Sequence, residues 1–338
     1  MVRRDAITGS RKNRDYHRAL DTSETFNTGA LGERRRNHRL REAPMAVFRY
    51  LYAPLYFFGF VGGATALVSS GSSPVWLFVL IIASIGTSLA AERIAPFENQ
   101  WNSSHGDGGR DILHAVVNEG SLVAMVLLLP LITSLVPWDS AWPTTLPSWA
   151  DVAIAIVLLD VGITLAHFAS HRVSFLWRFH AVHHSVRRMY GFNGLLKHPV
   201  HQFIEVSAGA LPWLLLGIPL DVAAVASFAV LIQLQLQHSN VDMRIGPLAY
   251  VWAVAPVHRH HHLASETDGD VNFGLFLTLW DVLLGTARFG SSQHIRAGAI
   301  GLAGIEDYPD AYLAQLAEPF RKQAQSLPEL GPQSERQA

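Results

Sequence analysis

Residues 149–184 read WADVAIAIVLLDVGITLAHFASHRVSFLWRFHAVHH. The run 149–168 is mostly apolar and close to the roughly 20 residues that cross a hydrocarbon core. It ends in H-F-A-S-H (His167, His171), followed by H-A-V-H-H (His180, His183, His184). On a helix, residues i, i+3 and i+4 share a face, so each cluster aims its imidazoles one way. A third cluster, H-R-H-H-H, contributes His258, His261 and His262. Twelve of the 17 histidines lie between His167 and His262, a density that core packing does not explain. Histidine is the commonest metal-binding side chain, and its neutral ring suits iron and zinc. The spacing therefore predicts a membrane helix that delivers a histidine-rich metal site at its end.

The rest of the chain agrees with a membrane setting. Of 338 residues, 49% are hydrophobic and only 16% charged, and apolar runs near 48–70, 75–91 and 113–136 precede the one quoted. They are apolar all round, unlike the single stripe of a soluble surface helix. Two shorter runs, near 203–217 and 220–237, are joined by Gly217-Ile218-Pro219. A hairpin that spans the bilayer and one that only dips into it both satisfy this pattern. The first 44 residues hold eleven arginines and lysines, and the loop 137–148 holds none. By the positive-inside bias, the amino terminus is expected in the cytoplasm and 137–148 outside. Four crossings and the hairpin then return all three histidine clusters to the cytoplasmic side. The expected organisation is a basic, disordered arm over 1–44, a membrane-embedded catalytic domain over 45–290 and a polar cytoplasmic tail over 291–338, with a short surface helix within 308–324.

There is no cysteine. Disulfides, thiolate-bound zinc or haem and cysteine-ligated iron–sulfur clusters are therefore excluded. No glycine-rich nucleotide fingerprint or solenoid repeat stands out, and no nucleic-acid partner is expected. Metal chemistry has to rest on histidine and carboxylate.

Several further residues invite roles. Asp160 lies seven residues before His167, on the same helix face; a carboxylate in an apolar span either orients an imidazole through its second N–H or makes a packing hydrogen bond. His198, His201 and Glu205 share one face after Lys197-His198-Pro199, as a ligand source, a supporting ion network or a surface pair. His238 ends the hairpin in Q-L-Q-L-Q-H-S-N, as a ligand or an interfacial residue, with Asp242 four residues on. His260, two residues from His258, points away from the cluster if the segment is helical.

Taken together these motifs resemble the fatty acid hydroxylase/sterol desaturase superfamily of integral membrane di-metal oxygenases. The resemblance covers roughly 90–290. It rests on Asp160, H-F-A-S-H-R, F-L-W-R-F-H-A-V-H-H-S, K-H-P, Q-H-S-N, A-P-V-H-R-H-H-H, and the closing N-F-G (Asn272–Gly274) and L-W-D-V-L-L-G-T (Leu279–Thr286). It implies an all-α stem of transmembrane helices with a cytosolic helical cap holding two metals. It implies as ligands His167, His171, His180, His183, His184, His238, His258, His261 and His262. Asp160, His198, His201, Glu205, Asp242 and Asn272 become candidates for supporting contacts around them. The implied activity is O2-dependent hydroxylation or desaturation of a lipid by two iron ions, with zinc able to replace iron during purification. Electrons are expected from a separate donor, a reductase with a ferredoxin or cytochrome b5-like carrier. Phe168 departs from the pattern, where many members carry Arg.

Two other classes fit parts of the pattern. A bis-histidine haem carrier needs opposed single histidines, not adjacent pairs. A metal transporter or sensor places polar groups near the middle of its spans, whereas these histidines sit at span ends.

Overall fold

The computed structural model describes residues 28–135, 139–143, 145–265, 268–290, 295–305 and 307–321, with side chains from residue 43. Among the described residues no β-strand forms, only isolated bridges such as Pro96 with Val241. Contacts divide the chain into Met1–Ala46 and Val47–Ala338. In the first unit, the arm expected to be disordered over 1–44 lies outside the described residues up to 27. From Thr28 its backbone is helical, in keeping with the Ala, Leu, Glu and Arg content of that stretch.

Five helices carry stretches long and apolar enough to cross a membrane: α1 (Thr28–Ser69, apolar from Ala43), α2 (Val75–Ile94), α3 (Gly108–Ser134), α4 (Ser148–Ser170) and α7 (Leu220–His238). Between the last two lie α5 (Ser174–His184) and α6 (Pro199–Leu216). The chain is thus a multi-pass membrane protein. Leu55, Phe58, Ile82, Leu127 and Leu131 stand exposed on α1 to α3, a pattern that lipid satisfies and water does not.

α7 differs from these, because it is buried along most of its length. Its apolar sequence serves a protein interior, and its polar residues act as glue. Gln233 donates to the carbonyls of Ala253 and Leu275, and Gln237 to those of Gly274 and Leu275. Tyr56 of α1 donates to Gln235 Oε1 at 2.9 Å. Such bonds satisfy groups that would be costly bare in an apolar setting.

The helices α4 and α6 pack closely because glycine lets them. A Cβ on Gly162 would lie 2.3 Å from the carbonyl oxygen of Ala208, and one on Gly209 would lie 2.9 Å from Ile163. Further along, Trp213 Nε1 donates to the Ala155 carbonyl at 2.9 Å. At the hairpin tip, Ser140 Oγ donates to the carbonyls of Leu216 and Gly217 at 3.1 and 2.9 Å. The α6–α7 turn therefore reaches the level of the loop between α3 and α4. The hairpin runs the same depth as α4 instead of stopping part-way.

Beyond α7 the chain forms the short helices α8 (Ala255–His258), α9 (Leu279–Leu284) and α10 (Tyr312–Ala317). Of the segment expected to be a polar tail from 291, the described residues 295–305 and 307–321 pack on the body. Tyr308 is buried against Trp177, and Gln315 Oε1 lies 2.9 Å from His114 Nε2. The helix expected within 308–324 is α10, shorter than that range because Pro319 and a 3-10 turn end it.

Candidate metal centre

Nine buried histidines form two groups. His167, His171, His180, His184 and His261 make one; His183, His238, His258 and His262 make the other. Within each group one ring nitrogen per residue lies within 4.8 Å of all the others. The two groups adjoin, with the rings of His184 and His262 stacked 4.6 Å apart.

Helix periodicity explains the division. His167 lies in the last turn of α4 and His171 caps it, so both face inward from one end. In α5, His180 and His184 share one face, and His183 looks to the other group. α7 delivers His238 from its last residue. α8 delivers His258 from its last residue, and the turn after it sends His262 to the same group and His261 to the other.

The hydrogen bonds fix which nitrogen faces inward. His167 Nδ1 donates to the Phe273 carbonyl at 2.8 Å, His183 Nδ1 to Leu196 at 2.9 Å and His261 Nδ1 to Val271 at 2.9 Å. His238 Nδ1 pairs with Asn193 Oδ1 at 3.1 Å. A neutral imidazole has one N–H, so these bonds leave Nε2 as a lone pair aimed into the group. His238 Nε2 is buried with no hydrogen-bond partner.

Burial holds the rings neutral. Desolvation is the largest cause pushing His171, His180, His183, His184, His258, His261 and His262 well below the usual 6.5, and neighbouring histidines add to it for most of them. Neutral imidazole is the ligating form.

The spacings fit metal ions. Nε2 to Nε2 separations are 2.9 Å for His167–His261, 3.0 Å for His180–His184, 3.2 Å for His171–His184 and 3.1 Å for His258–His262. Two nitrogens each about 2.0–2.1 Å from one ion, at angles between 90° and tetrahedral, lie roughly 2.9–3.4 Å apart. These four separations match the edges of coordination polyhedra, and the donor set is nitrogen alone.

Around them, the closing signature is a clamp. Asn272 sits at φ 56°, in the left-handed region that Asn tolerates better than most residues. Its amide donates to Val257 and Arg288 carbonyls, tying the loop to the α8 turn. Asp281 accepts from the N–H groups of Phe273 and Gly274 at 2.6 and 2.9 Å. The Phe273 ring packs on His167, His171 and His261.

Asp160 holds this same clamp and touches no histidine, which corrects the expectation that it orients an imidazole. Its oxygens accept from Phe276 N (2.8 Å), Leu277 N (3.0 Å), Trp280 Nε1 (2.7 Å) and Thr164 Oγ1 (3.4 Å). Those donors fill the carboxylate, and the Phe273 carbonyl takes the His167 proton instead.

The other supporting candidates sort as follows. His198 caps α6 through Nδ1 and bonds the Leu316 carbonyl at 3.2 Å, away from both groups. His201 lies just outside, its ring 4.4 Å from His180 and its Nε2 3.1 Å from Ser170 Oγ. Glu205 pairs with Lys197 and lies 3.7 Å from His201 Nδ1. Asp242 pairs with Arg49 at 2.9 Å, not with His238. His260 belongs to neither group, and its Nε2 meets the Gly290 carbonyl at 3.0 Å. Phe168, the departure from the pattern, packs on Phe273, with the Arg172 guanidinium 4.5 Å over its ring.

Sequence reasoning missed Asp270, which pairs with Arg172 and lies 3.8 Å from His171 Nδ1, as well as Asp281 and Trp280. The closing motif contained the last two, and no local signal marked Asp270.

Residues 152–286 match the fatty acid hydroxylase family. An ornithine lipid hydroxylase from Rhizobium tropici is 32% identical over 273 residues, covering 77% of this chain and 80% of that protein. Alkylglycerol monooxygenases from Danio rerio and Homo sapiens are each 31% identical over 44% of this chain. The match spans only 31% and 32% of their lengths. No solved structure matches the chain significantly.

Proposed function

The chain belongs to the fatty acid hydroxylase family, and from that premise we propose a membrane oxygenase that hydroxylates a polar lipid at two histidine-bound iron ions. The observation that carries this reading is the division of nine buried, inward-facing imidazoles into two groups joined through α5. His167, His171, His180, His184 and His261 would hold one ion, and His183, His238, His258 and His262 the other. When bound, such ions supply the redox activation of O2 that attack on an unactivated C–H bond requires. Zinc, higher in the usual affinity order, can take these positions in purified protein.

The chain's own part is positional. Carbonyls of Phe273, Leu196 and Val271 hold three rings by their Nδ1 protons, so the Nε2 lone pairs stay aimed without reorganisation. Phe273 and Trp177 pack on the histidine rings and exclude water from that side.

The site lies at one end of the spans, which suits an apolar substrate entering from lipid and electrons arriving from a soluble donor. The charge bias supports a cytoplasmic site and amino terminus. The donor we infer is a separate reductase with a ferredoxin or cytochrome b5-like carrier. The names of the relatives, a hydroxylase and monooxygenases, favour hydroxylation over desaturation, and a polar lipid as substrate. A haem carrier is disfavoured because the rings pack on one another, for example His167 on His180 at 4.6 Å, with no slot for a porphyrin.

Comparative lipid mass spectrometry of cells carrying the wild type or His261→Ala tests the reading. A lipid species that gains one oxygen only with the wild type supports it. Identical lipid profiles at equal protein levels would overturn it.

A further inference from the structure

The turn that carries the last three ligands also carries a buried cation. His258 faces the four-nitrogen group, and the next residue, Arg259, turns toward Phe97 and the chain after α7. The residue is 1% exposed, and its guanidinium lies 3.8 Å over the Phe97 ring and donates through Nη2 to the carbonyls of Ser239 and Val241 at 2.7 and 2.9 Å. Among the described residues no carboxylate pairs with it, and its Nε has no hydrogen-bond partner. Beside it opens a cavity of about 340 Å³, walled in part by Arg259, Arg244, Asp242, Phe97 and Phe289. That volume is in the range of small-ligand sites.

The charge balance of the wall favours an anion. Asp242 is matched by Arg49 at 2.9 Å, with Arg244 only at 4.0 Å. Glu92, the other carboxylate acting on Arg259, already accepts from the N–H groups of Gly191 and Asn240. Arg244 and Arg259 both wall this one space, and Arg259 Nε has no partner of its own. A guanidinium fork matches phosphate and carboxylate oxygens, and burying it without an anion is costly.

The depth of the cavity favours a lipid. Arg244 N–H donates to the Arg49 carbonyl at 2.9 Å, which fixes this wall to α1 just inside its apolar stretch from Ala43. Tyr50, Leu51, Leu248 and Tyr250 stand exposed nearby, as suits the headgroup level, where tyrosine concentrates. We propose that this cavity binds the anionic head group of an acidic membrane lipid. The bound lipid would brace the 258–262 turn from the side opposite its metal-facing nitrogens. This proposal rests on the membrane setting, not on the reaction assigned above.

The test titrates the full chain, purified in neutral detergent, with phosphatidic acid, with phosphatidylcholine of the same chains, and with inorganic phosphate. Native mass spectrometry and thermal shift report binding. The wild type should retain one phosphatidic acid per chain, with the other two ligands at least about tenfold weaker, as expected for losing charge-assisted contacts. Arg244→Gln should weaken phosphatidic acid by about tenfold. Ala249→Trp, which fills the cavity without changing charge, should abolish binding. Metal content in both variants serves as the check that the histidine turn is folded. Equal binding of phosphatidylcholine, full competition by inorganic phosphate, or wild-type binding by both variants would each overturn the proposal.

Discussion

His167 Nδ1 donates to the main-chain oxygen of Phe273 across 2.8 Å, and the two residues stand 106 positions apart in the chain. The orientation of an α4 ligand is thus set by a loop near the other end of the catalytic region. That loop is held from both sides by carboxylates: Asp281 on Phe273 N and Gly274 N, Asp160 on Phe276 N, Leu277 N and Trp280 Nε1.

Asp160→Asn should therefore damage the fold and the metal site together. An amide replaces one acceptor oxygen with an NH2 facing N–H donors, leaving buried donors unpaired at roughly 1–3 kcal/mol. The expected outcome is a lower melting temperature together with lower metal retention, measured on the same purified sample. A variant with wild-type melting and wild-type metal content would refute the clamp. Asp160→Asn with full stability and selective metal loss would instead indicate direct contact with a ligand.

Metal stoichiometry should follow the grouping. His238→Ala leaves three nitrogens in the smaller group and should lower bound metal from two ions per chain toward one. His180→Ala leaves four in the larger group and should lose less. His260→Ala should keep both ions, since His260 bonds Gly290 outside either group. Elemental analysis after desalting decides this. Equal loss from His260→Ala and His238→Ala would contradict the assignment.

Acid should release the metals and destabilise the protein in one range. Burial lowers the histidine pKa values in the folded protein, so the unfolded chain binds more protons below about 6.5. Their contribution to stability is full above that pH and is lost as pH falls through the lower folded values. Metal content and melting temperature should hold from about pH 8 to 6.5 and then decline together, because protons compete with metal for the same nitrogens. Metal release beginning well above pH 7 would contradict neutral, buried ligands.

Membrane topology can be read by cysteine labelling, since the natural chain has none. Ser185 is a poor probe, being buried and bonded to the Val182 carbonyl and to Gln315. Arg187→Cys and Thr145→Cys place thiols at exposed positions on opposite ends. In intact cells, an impermeant reagent should label the Thr145→Cys variant and spare Arg187→Cys. The reverse would invert the proposed orientation.

Much of the architecture was legible because it is local. The apolar run 149–168 differs from α4 (Ser148–Ser170) by one residue at one end and two at the other. The i, i+3, i+4 spacing of the histidines carries directly into their faces on α5. What escaped was non-local. Asp160 shares a helix face with His167, yet three of its donors, Phe276 N, Leu277 N and Trp280 Nε1, arrive from 116 to 120 residues later. Nothing local gives the glutamines before His238 a role. Their role is visible only once the 253 and 274–275 carbonyls pack on α7. The stretch from 291 reads as a tail because the anchors within it, Tyr308 and Gln315, are single residues in a polar stretch.

The most direct measurement follows the oxygen atom. Membranes containing the wild-type chain, supplied with reductant and a soluble electron carrier, are incubated under isotopically heavy dioxygen in ordinary water, and the lipids are analysed by mass spectrometry. The account predicts a hydroxylated lipid carrying one heavy oxygen, absent with His183→Ala and absent without dioxygen. A hydroxylated product whose new oxygen is light, and so comes from water, would contradict it.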